Sequence, residues 1–520
     1  MPTDLTASQM YSAGPVSRTA RQIVEDLGRL HPLILLYLLA VILPVGFDIG
    51  SVAFTGLRVV LLLLFVPLAF KVYVSKVDRI YPIDVLFALH VLWMFVAIGV
   101  NNPNRVVQNA SSVGLEFLGG YLLGRAYIRS AGDMFALVRA LIALAVLSLV
   151  FAIPESLNSK AIIPDWISRI PGLTTVSQTD IPMRMGLHRA QVYFAHPIHY
   201  GLFCSSAFAL TLVGLRNVMT KGKRILFASL IGLGVFLSLS SGALLSVVLQ
   251  LGLILWSHVF RRNPSRWKLL LGLFAALYIF IDVASNRTPL KVFMSYATFS
   301  AHNAYYRSII FDWGMMNVNS NPIFGLGLRD WIRPHYMGSG SVDNFWLMMA
   351  MRYGYPGFAL IAAGYVSALI SVGRRKLSPG TSQADLRLAW MMMFVGLSFT
   401  LATVHVWTSV YSFVFFLMGA GMWLAGANDD ATGTAPPAVA VGDQGPRWTR
   451  THSLQDSGLH RWSRKDDGRN DPVLTRSCTS ETSPTAFDES ANVQSPPEKV
   501  EKATRDGPML TRFSNSHRRH

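Results

Sequence analysis

Apolar runs recur along this sequence near residues 33–50, 54–70, 82–100, 111–128, 134–152, 197–216, 224–240, 242–260, 267–285, 355–373, 387–405 and 408–426. Most are long enough to cross about 30 Å of hydrocarbon as a helix. Inside a bilayer each backbone N–H and C=O must be satisfied within its own segment, so such runs read as helices rather than open strands. The expected fold is an all-α integral membrane protein of about twelve transmembrane helices. Composition agrees, with 51% hydrophobic and 14% charged residues.

Charge orients the runs. Lys71, Lys76 and Arg79 follow the second, Arg125 and Arg129 the fourth, and Arg216, Lys221, Lys223 and Arg224 the sixth. Arg261, Arg262, Arg266 and Lys268 follow the eighth, and Arg374, Arg375 and Lys376 the tenth. By the positive-inside rule these turns and both termini are cytoplasmic. The net charge of +17 therefore belongs to the membrane part and gives no reason to expect nucleic acid. The division that follows is a cytoplasmic segment 1–31, a membrane domain 32–426 and a tail 427–520. The tail is rich in Ser, Thr, Pro and Gly, with roughly equal acids and bases, and is expected to be disordered and cytoplasmic. The first run ends LPVGFDIG without a small-residue cleavage site, which makes it an uncleaved anchor. Cys204 and Cys478 imply no disulfide framework.

Two segments on the far side are long, about 154–196 and 286–344, and the remaining outer turns are short. Function is expected there, because long loops in a compact membrane chain are seldom mere connection. The first contains Arg184, His188, Arg189, His196 and His199. Interfacial anchoring would use the same residues, but grouped arginines also offer forked donors for a lipid diphosphate. No carboxylate or cysteine stands beside the histidines at ligand spacing, so no metal is expected. In the second, Arg307 heads a stretch with Ile309, Ile310, Trp313 and Met316 at helical spacing. NPIFGLG follows, with Gly325 and Gly327 letting backbone pass close to something or making an ordinary turn. Arg329, Arg333 and His335 read either as a solvated face or as ligands. Asp343 and Asn344 open a helix expected to bend near Gly354–Pro356; Asp343 suits an N-cap as well as chemistry. Within the runs, Arg58 and Glu116 are placed to pair, Arg125 and Arg139 to snorkel, and His90 to pack in the core.

Arg307, Asn321-Pro322, Gly325-Leu-Gly327, Asn344 and Gly354-Tyr-Pro-Gly357, in that order, resemble the O-antigen ligase and polymerase superfamily. Arg189 and the His-Pro-Ile-x-x-Gly ending at Gly201 are similar to its exopolysaccharide-polymerase branch. There are two departures. Ligases carry His-Asn where this chain has Asp343-Asn344, and Ser-Arg-Gly where it has Ser240-Ser241-Gly242.

The resemblance implies a bacterial inner-membrane glycosyltransferase that polymerises, or ligates, polyprenyl-diphosphate-linked repeat units at the outer face. Its partners would be the lipid-linked donor and acceptor, membrane lipids, a chain-length regulator and export proteins. Asp343 is then the candidate base or hydroxyl-orienting group, and Arg307 the candidate clamp on the departing diphosphate. Arg184, Arg189, His196, His199, Asn344 and Arg329 are candidate substrate contacts. The diphosphate is itself a good leaving group, so this logic requires no cofactor or metal. The rival reading is a flippase for the same lipid; it would want polar residues along both leaflets and two similar halves. A structural assembly subunit is a third, and clustered arginines argue against it.

Overall fold

The computed structural model describes residues 28–427 except 51, 76–78, 180, 287, 290–291 and 293–300. The expected tail beyond residue 427 and the first 27 residues of the N-terminal segment lie outside the described residues. In chain order the elements are α1 (Pro32–Ile42), a hairpin of β1 (Gly46–Ile49) and β2 (Val52–Thr55), α2 (Gly56–Val74) and α3 (Pro82–Asn101). Next come α4 (106–127), α5 (Ala131–Asn158), the short α6 (Ile162–Ser168), α7 (Pro197–Gly214) and α8 (Lys221–Leu237). The last are α9 (Ser241–Val259), α10 (Arg266–Ala284), α11 (Ala301–Ser320), α12 (Phe345–Gly373), α13 (Ser382–Leu401) and α14 (Thr408–Gly426).

The fold is all-α, and each expected run coincides with a helix. Among the described residues nine are both long and apolar enough to cross a membrane. The other three are α1, α4 and α8. α8 opens on Lys221, Lys223 and Arg224, and α4 is interrupted by a π turn at Leu115–Gly119. The first run stops short of expectation. Pro44 disfavours helical backbone before it, so α1 ends at Ile42, about 16 Å long at 1.5 Å per residue. The chain then turns through Gly50, at φ +60°, into the hairpin.

α7 and α14 are the most enclosed spans, whereas no residue of α10 is buried. The most extensive pairings are α3 with α12, α4 with α14, α9 with α13, and α7 with α8. Turns gather on two sides. Gly46 exchanges backbone bonds with Thr174 (2.7 Å each), Arg329 reaches Asn101 (2.7 Å), and Phe345 N–H reaches Val404 O (3.1 Å). These residues belong to the hairpin, the two long loops and the short turns expected beside them. Opposite them, Arg125 holds Arg79 O (2.7 Å), Arg216 faces Asp385 (3.5 Å) and Arg375 donates to Ala427 O (2.6 Å). The basic turns after α2 and α4 thus meet each other, and those after α7 and α12 meet the start of α13 and the end of α14.

Several charges within the spans are satisfied by partners in neighbouring helices. Arg58 Nε meets Glu116 Oε1 at 2.8 Å, as their spacing suggested. His90 is fully buried and its Nδ1–H donates to Gly357 O (2.8 Å). Arg125 corrects the sequence expectation: it does not snorkel but is buried, 3.5 Å from Asp84, whose other contacts include Tyr121 Oη at 2.5 Å. A carboxylate in the neighbouring helix satisfies the charge inside the bundle.

Candidate functional site

Two long loops, about 154–196 and 286–344, build the candidate site. The first follows the last turn of α5, where the buried carboxylate of Glu155 accepts the N–H groups of Gln191 (2.8 Å) and Val192 (3.0 Å). Val192 has φ +57°, a conformation that costs a β-branched residue of the order of 1–2 kcal/mol. Glu155 holds that turn closed and thereby fixes the segment carrying Arg189. Arg184 Nη1 donates to Leu239 O (2.8 Å) and Arg189 Nε to Ser238 O (3.4 Å). Both guanidinium groups thus bind the carbonyl end of α8, where the helix dipole favours cations.

His196 caps α7. Its Nδ1 accepts the Ile198 N–H at 3.1 Å. Burial, with Arg189 and Arg184 adding to it, pushes His196 down to about 4. The ring is therefore neutral near pH 7, and because Nδ1 is an acceptor the proton sits on Nε2. His196 can donate a hydrogen bond there but has no free lone pair to act as a base. His199 is fully buried, its ring 4.0 Å from that of Trp407.

The second loop packs as a small unit of its own. Ile309, Ile310 and Val318 of α11 bury against Leu326, Trp331, Leu347 and Met351. Met316, expected on the same apolar face, is 56% exposed instead. Gly314 admits Leu347 so closely that a Cβ there would lie 2.6 Å from its Cδ2. Asn317 bonds both the N–H and the C=O of Ile332 (2.9 and 2.8 Å), tying the loop back onto α11.

What the GxG turn approaches is the broken helix α12. Gly354 sits at φ +68°, ψ −178°, which interrupts the α12 ladder. Leu326 N–H and Gly327 N–H bond Met351 O (2.7 Å) and Arg352 O (3.0 Å), and Tyr355 N–H bonds Pro322 O (2.8 Å). A Cβ on Gly325 would lie 2.6 Å from Met351 O, and one on Gly354 only 2.1 Å from Ile323 O. The glycines are thus required by backbone docking onto the kink.

Arg307 is part-buried on α11, and its Nη1 has no hydrogen-bond partner among the described residues. Burial lowers its basicity, Asp343 opposes that and Arg184 adds to it. Arg189 is pushed down to about 10 by burial and Arg184, again with Asp343 opposing. Burial lowers Arg184 as well. All three remain cationic at neutral pH. Each loop thus supplies charges that act directly on the other: Arg184 and Arg189 from the first, Arg307 and Asp343 from the second. Asp343 accepts from Ser341 Oγ (3.1 Å), and it is Asn344 that caps α12, accepting from Leu347 N–H at 3.0 Å. Arg329 lies apart, exposed and bonded to Asn101 and Leu326 O.

Several residues escaped the sequence reading. Glu155 follows Pro154 at the end of a run and looks like a boundary residue. Arg352 precedes the apolar run at 355–373 but lies within the spanning helix α12, where any charge is a functional suspect. It depresses His405, which burial chiefly drives down to about 3. Trp407 is ringed by His196, His199 and His405, with centroids 5.9, 4.0 and 5.8 Å away.

Residues 226–362 match the family model described as O-antigen ligase. That stretch includes Arg307, the GxG turn, Asp343 and Asn344, and the kink at Gly354. Over this stretch, about a quarter of the chain, the protein is similar to O-antigen ligases, and its many apolar helices are those of a multi-pass membrane protein. No curated protein matches the chain.

Proposed function

We propose that this chain is a membrane glycosyltransferase that extends polyprenyl-diphosphate-linked saccharides at the outer face of a bacterial inner membrane. One arrangement carries the reading: Arg184 and Arg189 of the first loop both bind the end of α8, and Arg307 and Asp343 of the second, part-buried like them, are close enough for the charges to act on one another. Charge of this density suits a diphosphate, and a carboxylate beside it suits the hydroxyl that will attack.

In the proposed step an acceptor sugar hydroxyl attacks the anomeric carbon of the donor. Its proton passes to Asp343, the new glycosidic C–O bond forms, and the C–O bond to the diphosphate breaks with its electron pair. Arg307, Arg184 and Arg189 stabilise the negative charge that grows on the departing diphosphate. His196 adds a neutral Nε2–H donor. Where ligases carry the arginine of Ser-Arg-Gly this chain has Ser241. Arg184 and Arg189 hold the carbonyls of Leu239 and Ser238 immediately before it. Guanidinium groups from the first loop thus reach the backbone just before the motif that lacks its arginine. Together with Asp343 in place of histidine, this favours polymerase over ligase.

The experiment is reconstitution of purified protein with lipid-linked single repeats in liposomes. Lipid-linked chains of two or more repeats are the expected product, and they should vanish in Asp343→Asn. Movement of unextended repeats across the bilayer would replace this reading with a flippase.

A further inference from the structure

Beside the arginine cluster, the first loop and the end of α5 enclose a cleft of about 470 Å³, within the 300–1,000 Å³ range of small-molecule pockets. We propose that this cleft holds the sugar residues next to the donor diphosphate and selects which saccharide is transferred. The proposal rests on the reading of the arginines as a diphosphate clamp.

Arg189 joins the two places. It lines the cleft, and its charge acts together with that of Arg184 and Asp343. Its Nε is spent on Ser238 O, which leaves the two terminal nitrogens without protein partners among the described residues. A sugar attached to a diphosphate gripped by Arg307 and Arg184 would enter the cleft past this side chain.

The lining has the chemistry of a saccharide site. Ser159, His188 and Arg189 offer hydroxyl, imidazole and guanidinium groups, Gln178 and Thr179 are polar groups already bonded to protein, and Ile181, Pro182 and Met183 offer an apolar wall. A pyranose likewise has hydroxyl edges and C–H faces. A polyprenyl chain would want a continuous apolar surface, which this cleft lacks. The walls are braced before any ligand arrives. Gln191 Oε1 accepts from both Thr179 N–H (3.0 Å) and Thr179 Oγ1 (2.9 Å), and Glu155 clamps the Gln191–Val192 turn. Binding therefore costs little ordering. The His188 ring and Ser159 hydroxyl make no hydrogen bond to protein among the described residues, so both are free for a ligand. The His188 backbone, by contrast, is fixed to Ser156 on both sides (2.9 and 3.0 Å).

The test uses the full chain in nanodiscs and two probes, the lipid-linked repeat unit and sugar-free polyprenyl diphosphate. His188→Leu is expected to weaken the repeat-unit lipid roughly tenfold, the worth of one hydrogen bond, and to leave the sugar-free lipid unchanged. His188→Gln should restore most of the loss, and Arg307→Ala should weaken both probes. Equal weakening of both probes by His188→Leu would assign the cleft to the diphosphate and overturn the proposal. Unchanged affinity for both would show that no sugar sits there. If Arg307→Ala alters neither probe while His188→Leu still discriminates between them, the clamp reading fails and the sugar cleft survives it.

Discussion

Arg307 is the side chain whose loss should cost most. It is part-buried, one terminal nitrogen lacks a partner among the described residues, and Asp343 and Arg184 both act on its charge. A guanidinium held in this way needs little reorganisation when negative charge develops on the leaving diphosphate. Removing one such preorganised donor costs about 3–4 kcal/mol, a few hundredfold in rate at about 1.4 kcal/mol per decade. The loss should fall on kcat as well as on donor binding, because the contact strengthens toward the transition state. Arg307→Lys keeps the charge but loses the fork, and should lie between wild type and Arg307→Ala. The assay is chain extension from purified lipid-linked repeats, with protein amount and thermal unfolding followed for each variant. If Arg307→Lys works as well as wild type, the arginine only anchors α11. Near-normal activity in Arg307→Ala would leave Arg184 and Arg189 as the clamp.

Glu155→Gln presents an amide NH₂ to one of two backbone N–H donors, so a buried acceptor pair becomes a mismatch. A loss of about 1–3 kcal/mol in thermal stability is expected, and an unchanged unfolding temperature would show that Glu155 does not hold the Gln191–Val192 turn. His196 falls from about 6.5 in the unfolded chain to about 4 when folded. Between those values the unfolded state binds the extra proton, so stability is present above pH 6.5 and is lost as pH drops toward 4. At 1.36 kcal/mol per unit that span is on the order of 3 kcal/mol. His196→Asn, which can still cap α7, should flatten this part of the stability profile, and an unaltered profile would refute the neutral-imidazole assignment. Cysteines replacing Ser177 and Ser339, both exposed, in a variant lacking Cys204 and Cys478, should react with an impermeant thiol reagent applied from outside. Labelling only after the membrane is opened would reverse the topology.

Much of this was legible in the sequence, and for a local reason. Hydropathy over about twenty residues marks a span wherever it packs, so each apolar run recurs as a helix. Charge at the run ends sorts the turns into two sets, and the same sets meet in space. Even the pairing of Arg58 with Glu116 followed from two intramembrane charges at equal depth, since neither can stay unpaired in hydrocarbon. The bend at Gly354 was likewise written in a glycine and a proline two residues apart.

Tertiary structure alone decided what those elements do to one another. Sequence could name Arg184, Arg189, Arg307 and Asp343, but only folding brings two distant loops into one field. Gly325 and Gly354 looked like separate turn signals; they are two halves of one backbone contact. Arg125 was indistinguishable from a snorkelling residue until Asp84 was found against it. Glu155 has no local pattern at all, because its partners are backbone amides some forty residues later. The state of His196 depends on its burial, a single backbone N–H and two neighbouring guanidinium groups. Such roles depend on distance, burial and direction, which no window of sequence contains.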